Sequence, residues 1–280
     1  AFAQNTADSS AIVFGDFWAV DDVVAHEYTH KVTAFESGLI YTNISGAINE
    51  SLSDVWGEFI DQVNGRATDT AAVKWQLGED LSGGALRSMK NPPLFNNPDR
   101  LTSALYQPEN NPADNGGVHS NSGVNNKLCY LLTDGDTFNG QTVNSMGVTQ
   151  VVKLYYEAQT DLLTSSADWT DLFNALMQAA INLHWSDAAQ NNLLRACTAV
   201  EIASATSDAW VDVHSTCVVE EGVETCTSLV GPYQSVGRAV TNTPPGSVLH
   251  IRAGTYPNSL YTGKQLELRA EGGAVLIGTP

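Results

Sequence analysis

Between residues 124 and 199 apolar positions recur every three or four residues, most plainly in Leu172, Leu176, Ala179 and Ala180, which share one helical face. The pattern predicts helices over about 124–133, 147–160, 169–184 and 187–199, with Asp168 and Ser186 as N-cap residues for the last two. Nearer the start, the short apolar run Ala11-Ile12-Val13-Phe14 precedes Asp21-Asp22. Acidic residues suit the positive end of a helix, and one is expected from about Asp22 to Phe35. A second opens at Ser45-Gly46 and runs through Glu50, Asp54 and Glu58 to about Val63. Residues 64–126 are rich in Gly, Pro, Asn and Asp and read as long ordered loops with short helical pieces. Loops of that length in a folded domain usually carry function.

After about Ser204 the helix formers give way to Val, Thr, Gly and Pro. Alternation in Val248-Leu249-His250-Ile251-Arg252 and in Leu266-Glu267-Leu268-Arg269 indicates short strands between glycine turns. The expected fold is therefore mainly α over residues 1–204, a helical domain with long loops, followed by a small all-β module over 205–280. The stretches Pro245 to Tyr256 and Leu268 to Gly272 resemble the opening coils of right-handed β-helix domains, of which one or two coils are expected here.

Composition narrows the function. Of 280 residues 42% are hydrophobic, enough for a sizeable core, and 31 acidic against 13 basic side chains give a formal charge of -18. That balance argues against nucleic acid or an anionic membrane as the partner. No apolar run approaches the roughly 18 residues that span a bilayer. The chain has no initiator Met and no leader, so it is expected to be a mature or truncated piece. Its four cysteines form no C-x-x-C pair, and an even number favours disulfides and an oxidising, extracellular compartment. Cys217 and Cys226 flank one short acidic loop and form the natural pair, leaving Cys129 with Cys197, although sequence alone permits three connectivities.

The chemistry concentrates in His26-Glu27-Tyr28-Thr29-His30. On a helix, residues four apart share a face, so both imidazoles can reach one Zn²⁺ while Glu27 beside them is free to hold a water. A catalytic zinc needs a third protein ligand and an open position. Glu50 and Asp54, one turn apart on the second predicted helix, can supply that ligand and an acceptor for the free N–H of a ligating histidine.

Three segments together carry a specific resemblance: His26-Glu27-x-x-His30, Asn49-Glu50-x-x-Ser53-Asp54, and Asp114-Asn115-Gly116-Gly117-Val118-His119-Ser120-Asn121-Ser122-Gly123. In order and spacing they resemble the thermolysin family of neutral metallopeptidases over about residues 1–204. The resemblance implies one catalytic zinc held by His26, His30 and Glu50, with Asp54 and Asn49 behind the ligands and Glu27 as general base. It implies that Tyr41 and His119 steady an oxyanion, that Asp114 orients His119, and that Arg87 holds a peptide carbonyl. Val23, Leu77, Leu81 and Leu86 fall where that family lines its main specificity pocket, so a hydrophobic residue after the scissile bond is expected. Asp22, Asp61 and Glu79 match acidic calcium positions, but Lys74 and Gln76 replace two others, so one calcium or none is expected. The family's amino-terminal β lobe is missing, and Ala1 starts inside the strand that pairs with substrate. Protein or peptide substrates follow, met by a secreted monomer that the missing lobe would complete. The rival class is a binding or adhesive protein with an inert peptidase domain. Against it, the base and all the metal ligands are in place.

Overall fold

The computed structural model describes residues 2–6, 9–65, 70–109, 111–203, 209–214, 218–220, 223–225, 233–242, 248–256 and 267–278. The chain divides into two units, Ala1–Ala179 with Arg195–Ile202, and Ala180–Leu194 with Ala203–Pro280.

Two packed helices organise the first unit. α1 (Asp21–Phe35) begins with Asp21 and Asp22 in its first turn, as the charge pattern requires. α2 (Asn43–Asn64) begins two residues before the expected Ser45-Gly46. Ser45 is inside its first turn, where Oγ donates to the carbonyls of Ile40 at 2.7 Å and Thr42 at 2.9 Å. Gly65, at φ 69°, takes the left-handed conformation that ends α2. Ile48, Leu52, Val55 and Phe59 of α2 are buried, each stabilising the fold by about 1.5–3 kcal/mol. So are its polar residues from Asn49 to Asp54, so this helix is enclosed on several sides. Gly57 lets α1 approach it: a Cβ there would lie 2.8 Å from the Asp22 carbonyl oxygen.

Around this pair stand α3 (Asp114–Asn121), α4 (Gly123–Asp134) and α5 (Val148–Glu157); α6 (Trp169–Asn182) and α7 (Asp187–Ala199) follow in the chain. The predicted N-caps hold: Asp168 Oδ1 accepts from the amides of Thr170 at 2.8 Å and Asp171 at 2.9 Å, and Ser186 Oγ from that of Ala189 at 3.4 Å. The expected helix 147–160 is α5 followed by a π-helical turn, Ala158–Leu162. Short antiparallel pairs that the helical reading passed over complete the unit: β1 (Phe2–Thr6) with β2 (Ser9–Val13), β3 (Gln76–Leu77) with β4 (Arg87–Ser88), and β5 (Asp136–Phe138) with β6 (Gln141–Val143).

The second unit holds β7 (Ala209–Val211), the pair β8 (Val218–Glu220) and β9 (Val223–Thr225), α8 (Val236–Asn242), β10 (Val248–Tyr256) and β11 (Glu267–Ile277). β10 lies between β11 and β7, and all three strands are parallel. α8, an element hidden by the Val- and Gly-rich composition, adds Val236, Ala239 and Val240 to a core with Leu249, Ile251 and Tyr256. Among the described residues no helix is long and apolar enough to cross a membrane.

Candidate metal centre

α1 presents His26 and His30 one turn apart, with their Nε2 atoms 3.1 Å from each other. α2 holds the other nitrogen of each ring: Nδ1 of His26 lies 2.8 Å from Asp54 Oδ1, and Nδ1 of His30 lies 2.8 Å from Asn49 Oδ1. A ring that donates Nδ1–H to such an oxygen keeps its lone pair on Nε2. Two lone pairs therefore point at one spot.

Glu50 of α2 aims its carboxylate at the same spot, Oε1 at 3.3 Å from His30 Nε2 and Oε2 at 3.6 Å from His26 Nε2. Among the described residues, His26, His30 and Glu50 are the group whose ligand atoms all lie within 4.8 Å of one another. Glu50 is fully buried, and its Oε2 has no hydrogen-bond partner. Arg87 Nη2 stands 3.9 Å from that oxygen, too far for a hydrogen bond, so a cation among the three ligand atoms would satisfy it. Two imidazole nitrogens and a carboxylate oxygen suit Zn²⁺, whose ligands at about 2.0–2.1 Å sit about 3.3 Å apart on a tetrahedron. The donor set fits that metal.

The surroundings keep the acids ionised. Burial pushes the Asp54 carboxyl up, but the Arg87 guanidinium and the His26 ring outweigh it and hold the pKa down at about 2. Arg87 grips Asp54 with two bonds of 2.7 Å, from Nε to Oδ2 and from Nη2 to Oδ1. Burial likewise raises Glu50, while His30, His26 and Arg87 hold it well below the usual carboxylate range.

Tyr41 donates its hydroxyl hydrogen to Glu50 Oε1, and its oxygen lies 3.2 Å from His119 Nε2. His119 reaches the centre because Asp114, Asn115, Gly116 and Gly117 all take positive φ. At Gly116 (φ 87°) a Cβ would also run into Asn43, so glycine is required there. The turn folds the Asp114 carboxylate back to accept from the His119 amide at 3.0 Å and to bond its Nδ1. Glu27, beside His26, is buried, and its charge reaches His30.

Other candidates separate from this group. Leu81 and Leu86 line a pocket of about 250 Å³ with Phe17 and Trp18, whereas Val23 and Leu77 are buried in the core. Arg87, expected to hold a peptide carbonyl, has its Nε and Nη2 on Asp54. Asp22 accepts from the amides of Val23 at 2.6 Å and of Gly78; Asp61 is buried; Glu79 Oε2 is buried with no hydrogen-bond partner. Lys74 pairs with Asp134 at 2.8 Å. Ala1, Cys217 and Cys226 lie outside the described residues. The expected Cys129–Cys197 disulfide is corrected: both are free, buried thiols. A bridge needs sulfurs about 2.05 Å apart, whereas burial raises the pKa of both thiols and leaves each a small apolar side chain on its own helix.

Ser53, quoted in the second motif without a role, has its Oγ 3.1 Å from His30 Nδ1; Asn126, whose Nδ2 donates to Asp54 Oδ2 at 2.7 Å, escaped the sequence reading. The one available signal was the polar doublet Asn125-Asn126 inside a helix that is otherwise largely apolar.

Comparison with known proteins identifies relatives of the helical part of the chain. Residues 37–202 match the family described as thermolysin metallopeptidase, alpha-helical domain; α1 precedes that segment, so its histidines rest on the geometry above. A zinc metalloproteinase of Renibacterium salmoninarum is 48% identical over 182 residues, 64% of this chain and 33% of that protein. A bacillolysin of Brevibacillus brevis is 40% identical over 60% of this chain and 30% of its own length. A thermolysin of Alicyclobacillus acidocaldarius is 36% identical over 67% of this chain and 35% of its own. The chain thus spans about a third of the length of these relatives. Among solved structures, the precursor of protealysin, a metalloproteinase from Serratia proteamaculans, superposes with a TM-score of 0.52 at 28% identity, covering 66% of this chain and 59% of that one. By fold, centre and kinship, the chain belongs to the thermolysin metallopeptidase family, through its alpha-helical domain.

Proposed function

We propose that this chain carries the zinc-binding catalytic part of a secreted metalloendopeptidase that cleaves protein or peptide chains. The supporting observation is the convergence of two lone-pair nitrogens and a buried carboxylate oxygen that has no hydrogen bond, with Glu27 next to His26 in the chain. Zn²⁺ held by His26, His30 and Glu50 would supply Lewis acidity and bring the pKa of a water there toward about 7. Glu27 would serve as the general base, accepting a proton from the attacking water and passing it to the leaving amine. Tyr41 and His119 donate to the negative charge that develops on the peptide oxygen, and Asp114 keeps His119 turned for it. Arg87 steadies Asp54 and offers its remaining N–H groups to a substrate carbonyl.

The finer assignments belong to the same reading. Leu81, Leu86 and Trp18 form the apolar side of a mixed pocket that takes the residue after the scissile bond, and residues 1–204 act as the peptidase part with 205–280 as an accessory β module. The enzyme works as a monomer outside the cell, with Cys217 joined to Cys226. Zinc analysis combined with casein hydrolysis tests the function. One zinc per chain, and hydrolysis abolished by a chelator and restored by zinc, are expected. Hydrolysis that is indifferent to the chelator overturns it.

A single calcium near Asp22 and Glu79 completes the proposal. Burial, then the charges of Asp22, Glu58 and Asp80, raise the Glu79 carboxyl to about 8, so a cation there relieves repulsion. Millimolar calcium should raise the melting temperature of the parent chain and leave that of Glu79→Gln unchanged. A parent curve that calcium does not move removes the ion.

A further inference from the structure

Behind the metal centre runs a file of buried polar side chains. Asp54 Oδ1 faces His26 Nδ1 at 2.8 Å, and Asp54 Oδ2 receives Asn126 Nδ2 at 2.7 Å. Ser51 Oγ lies 2.8 Å from Asn126 Oδ1, Asn125 Nδ2 lies 2.7 Å from Ser51 Oγ, and Tyr155 Oη lies 2.9 Å from Asn125 Oδ1. Ser51, Asp54, Asn125 and Tyr155 are completely buried and Asn126 is 1% exposed, so water does not compete for any of these bonds.

The direction of every bond is set from one end. The Arg87 guanidinium only donates, and it gives a 2.7 Å bond to each oxygen of Asp54, so both oxygens are acceptors. Asn126 must therefore turn its NH₂ to Asp54 and its carbonyl to Ser51. Ser51 must then donate, which leaves its oxygen to accept from the NH₂ of Asn125. The Asn125 carbonyl in turn accepts from the Tyr155 hydroxyl. No rotamer or amide flip along the file reverses one bond without leaving a buried group unpaired, at a cost that low dielectric magnifies.

We propose that Asn126 is a positioning residue for the zinc centre, acting through Asp54 on the His26 ring, and that Ser51, Asn125 and Tyr155 hold its amide in the donating orientation. The proposal rests on His26, His30 and Glu50 being the zinc ligands. Arg87 already pins Asp54 from one side with two bonds of 2.7 Å. Asn126 pins it from α4, so the carboxylate cannot swing about its own axis and take the imidazole with it. Partners of metal-bound histidines typically contribute 10–100-fold in metal affinity.

The test is competition for zinc between the full chain and a calibrated chelator. Asn126→Leu, nearly isosteric, removes the donor, and Leu128→Ala opens a cavity in the same helix without touching the file. With both variants folded, Asn126→Leu should lose about 10–100-fold in zinc affinity while Leu128→Ala stays near the parent. Ser51→Ala, which frees the Asn126 amide to flip, serves if Asn126→Leu does not fold, with an expected loss of about threefold to tenfold. Affinity within twofold of the parent in Asn126→Leu, or in Ser51→Ala where the leucine variant does not fold, overturns the positioning role. So does an equal loss in Leu128→Ala. Zinc binding by the parent that survives His26→Ala overturns the centre itself, and the proposal with it.

Discussion

At the scale of single residues, the proposed mechanism assigns metal binding and chemistry to different groups. Glu27 has no place among the converging ligand atoms. Glu27→Gln should therefore keep one zinc per chain while peptide hydrolysis falls by about 10²–10⁴-fold, read by metal analysis beside a peptide assay. His119→Ala should cost about 10²–10³-fold in kcat, the usual effect of one lost oxyanion donor. Glu58 adds a pH dependence of its own. Burial dominates Glu58 and raises its carboxyl from 4.5 to about 7. Below pH 4.5 the group is protonated in both folded and unfolded chains and contributes no pH dependence. Between 4.5 and about 7 the unfolded chain releases a proton that the folded chain retains, so stability falls as pH rises through that window. Urea unfolding in calcium-free buffer should show this decline in the parent and a flatter profile in Glu58→Gln.

At the scale of elements, the centre depends on how closely α1 approaches α2, because each contributes ligands. Gly57 is the point of approach. Gly57→Ala sets a methyl 2.8 Å from the Asp22 carbonyl and 3.1 Å from Leu77 Cδ1. Overpacking of this kind costs about 1–3 kcal/mol. Because α1 must shift away from Glu50, zinc affinity should fall as well; denaturant unfolding and chelator competition on one preparation check both. The helices themselves were legible in sequence, since α4 to α7 follow apolar spacing and two of them start at foreseeable caps. The left-handed turn ahead of His119 was not, because Asp114 and Asn115 take positive φ only under the grip of the surrounding bonds.

At the scale of the whole molecule, every residue assigned to the centre and its supporting file lies between His26 and Tyr155, within the first unit. A chain ended at residue 204 should bind zinc as tightly as the full chain, measured by the same competition. A large loss would give the β module a part in the centre. The free thiols add a second expectation. Cys129 and Cys197 are both fully buried, so they should resist alkylation in the native protein and react once it is unfolded. Mass mapping after each treatment counts them.

What the sequence determined by itself was the chemistry of the ligands. Two histidines four residues apart on a helix share a face whatever surrounds them, and Glu50 and Asp54 do the same on the next helix, because helical periodicity is local. Tertiary structure alone decided the rest: which oxygen of Glu50 stays without a hydrogen bond, that Arg87 spends its fork on Asp54, that Asn126 arrives from α4, and that Cys129 and Cys197 stay unbridged. Each of these depends on angstrom-level distances between segments far apart in the chain. Those distances are set by the packing of helices, as at Gly57, and not by the residues adjacent in sequence.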